Sequence, residues 1–143
     1  MRMPPGVELD VRAVGRGALL GLAVIAPASL ADLALSSVKD LDEDWLVFGL
    51  FAVILAAFFL AGYRAATTAE GSPYTHGALA GLAAFALWLP LRVATRALVG
   101  EQLLGREGDT ALKVVEAVVT AALFAMSFGI LGGFVAAVRH RRR

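Results

Sequence analysis

Four long apolar stretches alternate with short polar segments along the chain. Residues 45–63 hold 19 consecutive uncharged positions, and residues 117–138 hold 22. Two further stretches, 17–31 and 77–91, hold 15 uncharged positions each and continue as apolar sequence after a single charge. A bilayer core of about 30 Å takes roughly 20 helical residues, and backbone polar groups in lipid must be satisfied within the helix. The pattern therefore predicts four transmembrane helices, at about 15–38, 46–66, 77–99 and 111–138.

The composition supports an integral membrane protein with one membrane domain over residues 1–143. Hydrophobic residues make up 59% of the chain, charged residues 17%, and the mean hydropathy is +0.75. Soluble domains are closer to 45–50% apolar and 25% charged, so a soluble globular domain, a disordered tail and a coiled coil are excluded. With no cysteine in the chain, disulfides, thiol catalysis and cysteine-ligated metals are excluded too.

Basic residues are concentrated in alternate segments, which predicts how the helices cross the membrane. Eight basic residues fall at the ends of the chain or beside the middle loop 67–76: Arg2, Arg12, Arg16, Arg64, Arg139, Arg141, Arg142 and Arg143. The other two loops hold only Lys39 and Arg106. The positive-inside rule then places both termini in the cytoplasm. A cleaved signal peptide ending near Ala26-Pro27-Ala28 is an alternative that the proline in the site disfavours.

Two segments of the chain repeat each other at a constant offset. Residues 17–23 (GALLGLA) recur as residues 77–83 (GALAGLA), 60 positions later, and the same offset aligns Asp32 with Arg92. Residues 60–66 resemble residues 131–137 at an offset of 71. We therefore predict an all-α bundle of two parallel αα-hairpin repeats, 1–70 and 71–143, related by an axis along the membrane normal.

Small residues indicate where these helices pack. Gly17 and Gly21 form one GxxxG pair, Gly77 and Gly81 form the equivalent pair, and we expect the first and third helices to cross closely there. These pairs can serve packing within one chain or the face of a homodimer. Further candidate packing positions are Gly62, Gly129, Gly132 and Gly133. Two prolines within predicted helices, Pro27 and Pro90, are candidate kinks.

Five ionisable residues fall in the outer half of the predicted spans: Asp32, Arg92, Arg96, Lys113 and Glu116. A charge within a span costs about 2.5–3.5 kcal/mol, so it should pair or reach water. We expect a cluster in which the two carboxylates neutralise the two arginines. Three interpretations stay open: a salt-bridge network that docks the hairpins, solvated helix ends, or a site for an ion or an anionic solute.

The chain ends in the basic segment Arg139, His140, Arg141, Arg142 and Arg143. Its four arginines are predicted to anchor the topology and to attract anionic lipid head groups, and no folded basic domain suggests a nucleic-acid partner. Two histidines without cysteine do not make a metal site. No hydrolase or nucleotide-binding motif occurs, so neither a catalytic residue nor a cofactor is predicted.

Three motifs resemble a group of small bacterial four-span membrane proteins of unknown function. They are Ala61-Gly62-Tyr63-Arg64, the segment His76-Gly77-Ala78-Leu79-Ala80-Gly81, and Gly132-Gly133-Phe134. The resemblance implies a protein of the bacterial inner membrane and carries over no catalytic residue.

The sequence leaves two main functions open. One is a non-enzymatic accessory, scaffold or self-associating subunit, with the bilayer and a homodimer or a membrane protein as its partners. The other is a small oligomeric transporter or channel that uses the charged residues as its site. Four spans are too few to enclose a wide pathway, so transport would require an oligomer. A membrane enzyme is a more remote class, with no candidate nucleophile.

Overall fold

The computed structural model describes residues 9–36, 44–99 and 111–141, which form an all-helical bundle. Its elements are α1 (Val11–Ser36), α2 (Asp44–Thr68), α3 (Pro73–Val99) and α4 (Ala111–His140). All four helices are long and apolar enough to cross a membrane. The prediction of four such helices is confirmed, and their observed ends lie within about four residues of the predicted ones.

Local side-chain chemistry sets the start of α1 four residues earlier than the apolar pattern predicts. Asp10 Oδ1 accepts hydrogen bonds from the backbone N–H groups of Arg12 and Ala13, both at 3.0 Å. Asp10 is therefore the N-cap, the position at which a short carboxylate satisfies the unpaired donors of the first turn.

A four-residue turn, 69–72, joins α2 to α3. Gly71 has φ = 138°, a backbone conformation that side chains with a Cβ rarely adopt. Pro73 then begins α3, where its fixed φ suits a helix and its missing N–H costs nothing. Pro27 and Pro90 lie inside α1 and α3, and the helices continue through both. A kink at either proline stays a prediction.

The contacts define how the helices run and which of them are neighbours. The α1·α2 and α3·α4 pairs are antiparallel, whereas the α1·α3 and α2·α4 pairs are parallel. Across the bundle α2 also contacts α3, but α1 and α4 do not touch within the described ranges. The N-termini of α1 and α3 and the C-termini of α2 and α4 thus share one end, which we call the basic end because Arg12, Arg16, Arg64, Arg139 and Arg141 lie there.

This arrangement does not confirm the predicted two-fold symmetry axis. A two-fold axis that exchanged the halves would turn every α2·α3 contact into an α4·α1 contact. In the described part of the chain α2 meets α3 while α1 and α4 stay apart. The two hairpins therefore lie side by side, with α2 and α3 central and α1 and α4 on the flanks.

The interior is built from small residues, and the large apolar side chains point outward. Among the residues that the structure describes, eleven of the 15 buried hydrophobic ones are alanines, and the others are Ile25, Phe58, Phe85 and Trp88. Residues such as Phe48 (72% exposed) and Leu112 (76% exposed) lie on the surface instead. In water this surface would be unstable, whereas in lipid large apolar side chains are solvated and helices associate through close backbone packing. The distribution is typical of a membrane bundle.

The nearest contacts of the GxxxG pairs lie within the hairpins, whereas the sequence predicted that these pairs bring the first and third helices together. A Cβ at Gly17 would overlap the carbonyl oxygen of Ala61 in α2. A Cβ at Gly77 would overlap the carbonyl oxygen of Gly129 in α4. Gly21 also approaches α3, because a Cβ added to it would lie 3.2 Å from the Cβ of Ala84. Each first helix therefore uses its glycines to approach the second helix of its own half.

The other predicted packing glycines all lie at interfaces of α4. Added Cβ atoms would overlap backbone oxygens of a neighbouring helix at Gly62, Gly81, Gly129, Gly132 and Gly133. Gly62 and Gly132 make the parallel α2·α4 contact, Gly81 and Gly133 make the α3·α4 contact, and Gly129 takes part in both. These positions accept no side chain unless the helices separate.

Candidate functional site

The predicted charged residues lie towards the end of the bundle opposite the basic end. Arg92, in α3, is half-buried, and its Cζ lies 5.1 Å from the centroid of the Trp88 ring. A guanidinium above an indole face is attracted by the ring quadrupole, by about 0.5–2 kcal/mol depending on desolvation. Sequence reasoning paired Arg92 with carboxylates and missed this aromatic contact, although the i,i+4 spacing from Trp88 could have indicated it.

A buried hydrogen bond continues from Trp88 into the core. The indole Nε1–H donates to Ser29 Oγ in α1 at 2.7 Å. Trp88 is 9% exposed and Ser29 6%, so water does not compete for this bond. The N–H of Trp88 thereby ties α3 to α1. A series of contacts thus runs from Ser29 at the α1·α3 interface, through Trp88, to Arg92 at the edge of the bundle.

Lys113 and Glu116 lie on α4, the flanking helix on the side of the bundle away from α1. Both are exposed on α4 and line an open cavity of about 450 Å³ together with Phe51 of α2 and Thr120 and Phe124 of α4. Phe51 and Phe124 meet edge to face, with their ring centroids 6.5 Å apart. Along this part of α4 no residue before Ala125 is buried.

The five charged residues are thus distributed over α1, α3 and α4, and α1 and α4 are not in contact within the described ranges. The side chains of Asp32 and Arg96 lie outside the described residues. Because α1 and α4 are not in contact within the described ranges, a cluster joining Asp32 to Glu116 would have to bridge across α2 or α3. Pairing of Asp32 with Arg92 along the α1·α3 interface remains a prediction.

A polar site at the basic end was not predicted. His76 is fully buried, and its Nε2 accepts a hydrogen bond from the backbone N–H of Asp10 at 3.0 Å. A backbone N–H can only donate, so Nε2 carries no proton and Nδ1 does. Nδ1–H donates to the carbonyl oxygen of Ser72 at 2.8 Å. This histidine joins the cap of α1 to the first turn of α3, and no sequence motif signals that role.

The C-terminal arginines are described only in part. Arg139 Nη1 donates to the Tyr63 hydroxyl at 3.0 Å, which links the last turn of α4 to α2. Arg141 is exposed, and Arg142 and Arg143 lie outside the described residues. The lipid-anchoring role of these arginines stays a prediction.

The described residues offer little chemistry beyond these contacts. They contain no group of three histidine or carboxylate side chains that could hold a metal ion. Within the same part of the chain, every buried side-chain nitrogen or oxygen has a hydrogen-bond partner. Comparisons of the chain with protein-family models, curated proteins and solved structures give no match.

Proposed function

We propose that this chain is a non-enzymatic, multi-pass membrane protein that acts as an accessory or scaffold subunit, or as a self-associating bundle. The observation that carries the proposal is the composition of the interior. Among the described residues the buried polar side chains are Ser29 and His76, and both are hydrogen-bonded within the chain. A solute path through one copy would need polar groups left available along the bundle. This core instead supports a structural role.

Native mass spectrometry of the tagged chain, extracted in mild detergent at near-natural expression, tests this role. An accessory subunit should carry a second protein at a fixed stoichiometry. A self-associating bundle should give one defined oligomer. A monomer with neither partner, recovered with its lipids, would contradict the proposal.

We further propose that the protein lies in a bacterial inner membrane with its basic end in the cytoplasm. Five described arginines at that end support this orientation. Because the chain has no cysteine, a single Cys can report on each side. Glu70→Cys, in the 69–72 turn, should resist a membrane-impermeant maleimide in intact cells, and Ala111→Cys should react. The reverse pattern would invert the topology.

We also propose that the halves 1–70 and 71–143 arose by duplication. The equivalent glycines Gly17 and Gly77 meet Ala61 and Gly129, at the same place on the second helix of each half. These contacts relate the second helices by 68 positions, whereas the sequence match suggested 71. The two copies of the repeated heptapeptide differ at one position. It is Leu20 in the flanking helix α1, where it is exposed, and Ala80 in the central helix α3, where it is buried. That difference follows from the position of each helix in the bundle.

The alternative function is a small oligomeric transporter or channel, and one observation favours it. Lys113 and Glu116 line the open cavity between α2 and α4, so a second copy placed there would enclose charged groups near a span end. In liposomes, transport predicts ion or anionic-solute flux that is lost with Glu116→Gln or Lys113→Gln. It also predicts a loss of flux with Arg92→Gln if the wider cluster takes part. An absence of flux for the wild-type oligomer would exclude this alternative.

A further inference from the structure

A cavity at the basic end brings together hydrogen-bonding side chains from two helices. Its volume is about 330 Å³, and it is lined by Tyr63 and Thr67 of α2 and by Ala136, Arg139 and His140 of α4. The volume is at the low end for small-molecule sites, which start near 300 Å³. It suits a compact polar group.

Close packing of α2 against α4 creates this cavity. At Gly132 an added Cβ would overlap the carbonyl oxygen of Phe59 and lie 2.6 Å from the backbone nitrogen of Tyr63. The two parallel helices therefore touch at this level. One turn further on, Thr67 and Ala136 line the cavity wall, and the larger Arg139 reaches back to Tyr63. The cavity therefore lies about one turn beyond the close contact at Gly132.

The lining favours an anion. Arg139 uses one N–H on the Tyr63 oxygen and keeps four further donors on its guanidinium. The Tyr63 oxygen accepts that bond, so its own O–H can donate into the cavity, and the His140 ring carries at least one N–H. Thr67 donates its hydroxyl hydrogen to the carbonyl oxygen of Arg64 at 2.9 Å, so this hydrogen is not available to a bound anion. No carboxylate is among the described residues that line the cavity.

The position of the cavity along α4 indicates which kind of anion it would meet. α4 has 30 residues and is therefore about 45 Å long, while the hydrocarbon core is about 30 Å thick. Arg139 and His140 directly follow the uncharged residues 117–138, and on that ground we place the last turn of α4 in the head-group layer. Tyr63, Tyr74 and Phe134 lie at the same end, as an interfacial aromatic belt would.

We propose that this cavity binds the phosphate group of an anionic phospholipid, with Arg139, Tyr63 and His140 as donors. The guanidinium and the tyrosine hydroxyl hold the phosphate oxygens, and the acyl chains run along the apolar surface of α2 and α4. The site is more specific than attraction of lipid by the basic tail, because it requires an uncharged side chain, Tyr63. It does not depend on the scaffold role proposed above.

The test is native mass spectrometry of the full chain in mild detergent, titrated with phosphatidylglycerol and separately with phosphatidylcholine. We expect one tightly bound phosphatidylglycerol, preferred by about ten-fold. Arg139→Gln should weaken its binding by about ten-fold or more, since hydrogen bonds between charged groups are the strong ones. Tyr63→Phe, which removes one oxygen and keeps the ring, should weaken it by about three- to ten-fold.

Arg16→Gln is the matched control. It removes one exposed arginine from the same end of the bundle, but on α1, which does not contact α4 within the described ranges. Its affinity for phosphatidylglycerol should equal that of the wild type. An equal loss in Arg16→Gln and Arg139→Gln would overturn the proposal in favour of diffuse attraction by the basic end.

Two further outcomes would also overturn it. Equal affinity for phosphatidylcholine would remove the preference for an anion. Displacement of the lipid by millimolar inorganic phosphate would identify a soluble phosphate as the ligand. Size-exclusion elution and thermal unfolding check the fold of each variant, and if Arg139→Gln fails to fold, Tyr63→Phe decides the question.

Discussion

Gly129 occupies the point where three helices meet, and replacing it tests the packing that holds the bundle together. A Cβ on this residue would overlap the carbonyl oxygen of Gly77. It would also lie 3.1 Å from the Gly77 carbonyl carbon and 3.2 Å from the Cα of Gly81. On its other side, the Gly129 backbone fills the space beside Gly62 in α2. All these atoms belong to the backbone, so no change of rotamer can relieve the contact.

Two opposing effects determine how much Gly129→Ala changes the free energy of unfolding. Overpacking of a tight interface costs about 1–3 kcal/mol, because the helices must move apart. Alanine is about 1 kcal/mol better than glycine within a helix. Gly49, in α2, provides the matched control, since nothing lies within 4 Å of its added Cβ. Gly49→Ala experiences only the propensity gain, so Gly129→Ala should be less stable than Gly49→Ala by about 1–3 kcal/mol.

Reversible unfolding in mixed detergent micelles measures this difference. The dodecyl maltoside fraction is lowered by adding dodecyl sulfate, and unfolding is followed by helical circular dichroism. We expect the Gly129→Ala midpoint to move to lower dodecyl sulfate than that of the control. If Gly129→Ala is as stable as Gly49→Ala, the backbones do not approach as closely as described, and the argument for glycine-mediated packing fails.

Three more substitutions test other contacts in the same assay. His76→Leu should lower the free energy of unfolding by about 1–3 kcal/mol because two buried hydrogen bonds are lost; His140→Leu, at an exposed position, should change it by less than about 0.5 kcal/mol. Trp88→Phe should cost about 1–3 kcal/mol because it leaves the buried serine hydroxyl without its donor, and retention of wild-type stability would show that this bond contributes nothing. Ala80→Leu should cost about 1–3 kcal/mol at a fully buried position, whereas Leu20→Ala, at the equivalent exposed position, should stay within about 0.5 kcal/mol; equal effects would mean that α1 and α3 have equivalent surroundings.

The four helices could be predicted from the sequence alone because lipid imposes a strong constraint. A segment without water must satisfy its backbone internally, so an uncharged run of 15 or more residues has few alternatives to a helix. Helix boundaries follow weaker local rules. Asp10 caps α1 before the apolar run begins, and the apolar pattern therefore placed that boundary too late.

Only the tertiary structure decided which face of each helix is buried and which helices are neighbours. The glycines at 17, 21, 77 and 81 are visible in the sequence, but a GxxxG pair states that some backbone approaches and not which one. The structure directs them to α2 and α4 within each hairpin.

The candidate sites show the same limit more sharply. The role of His76 depends on a backbone N–H 66 positions away, and the Tyr63–Arg139 contact spans 76 positions. The sequence by itself determined the number of helices, the end that carries the basic residues and the predominance of small residues. Hydropathy, charge and residue size are properties of each segment taken alone, and lipid acts on them directly. The choice of partner helices and the cavity beside Arg139 arise only when four helices adopt their rotation and register together, because many arrangements bury similar small residues.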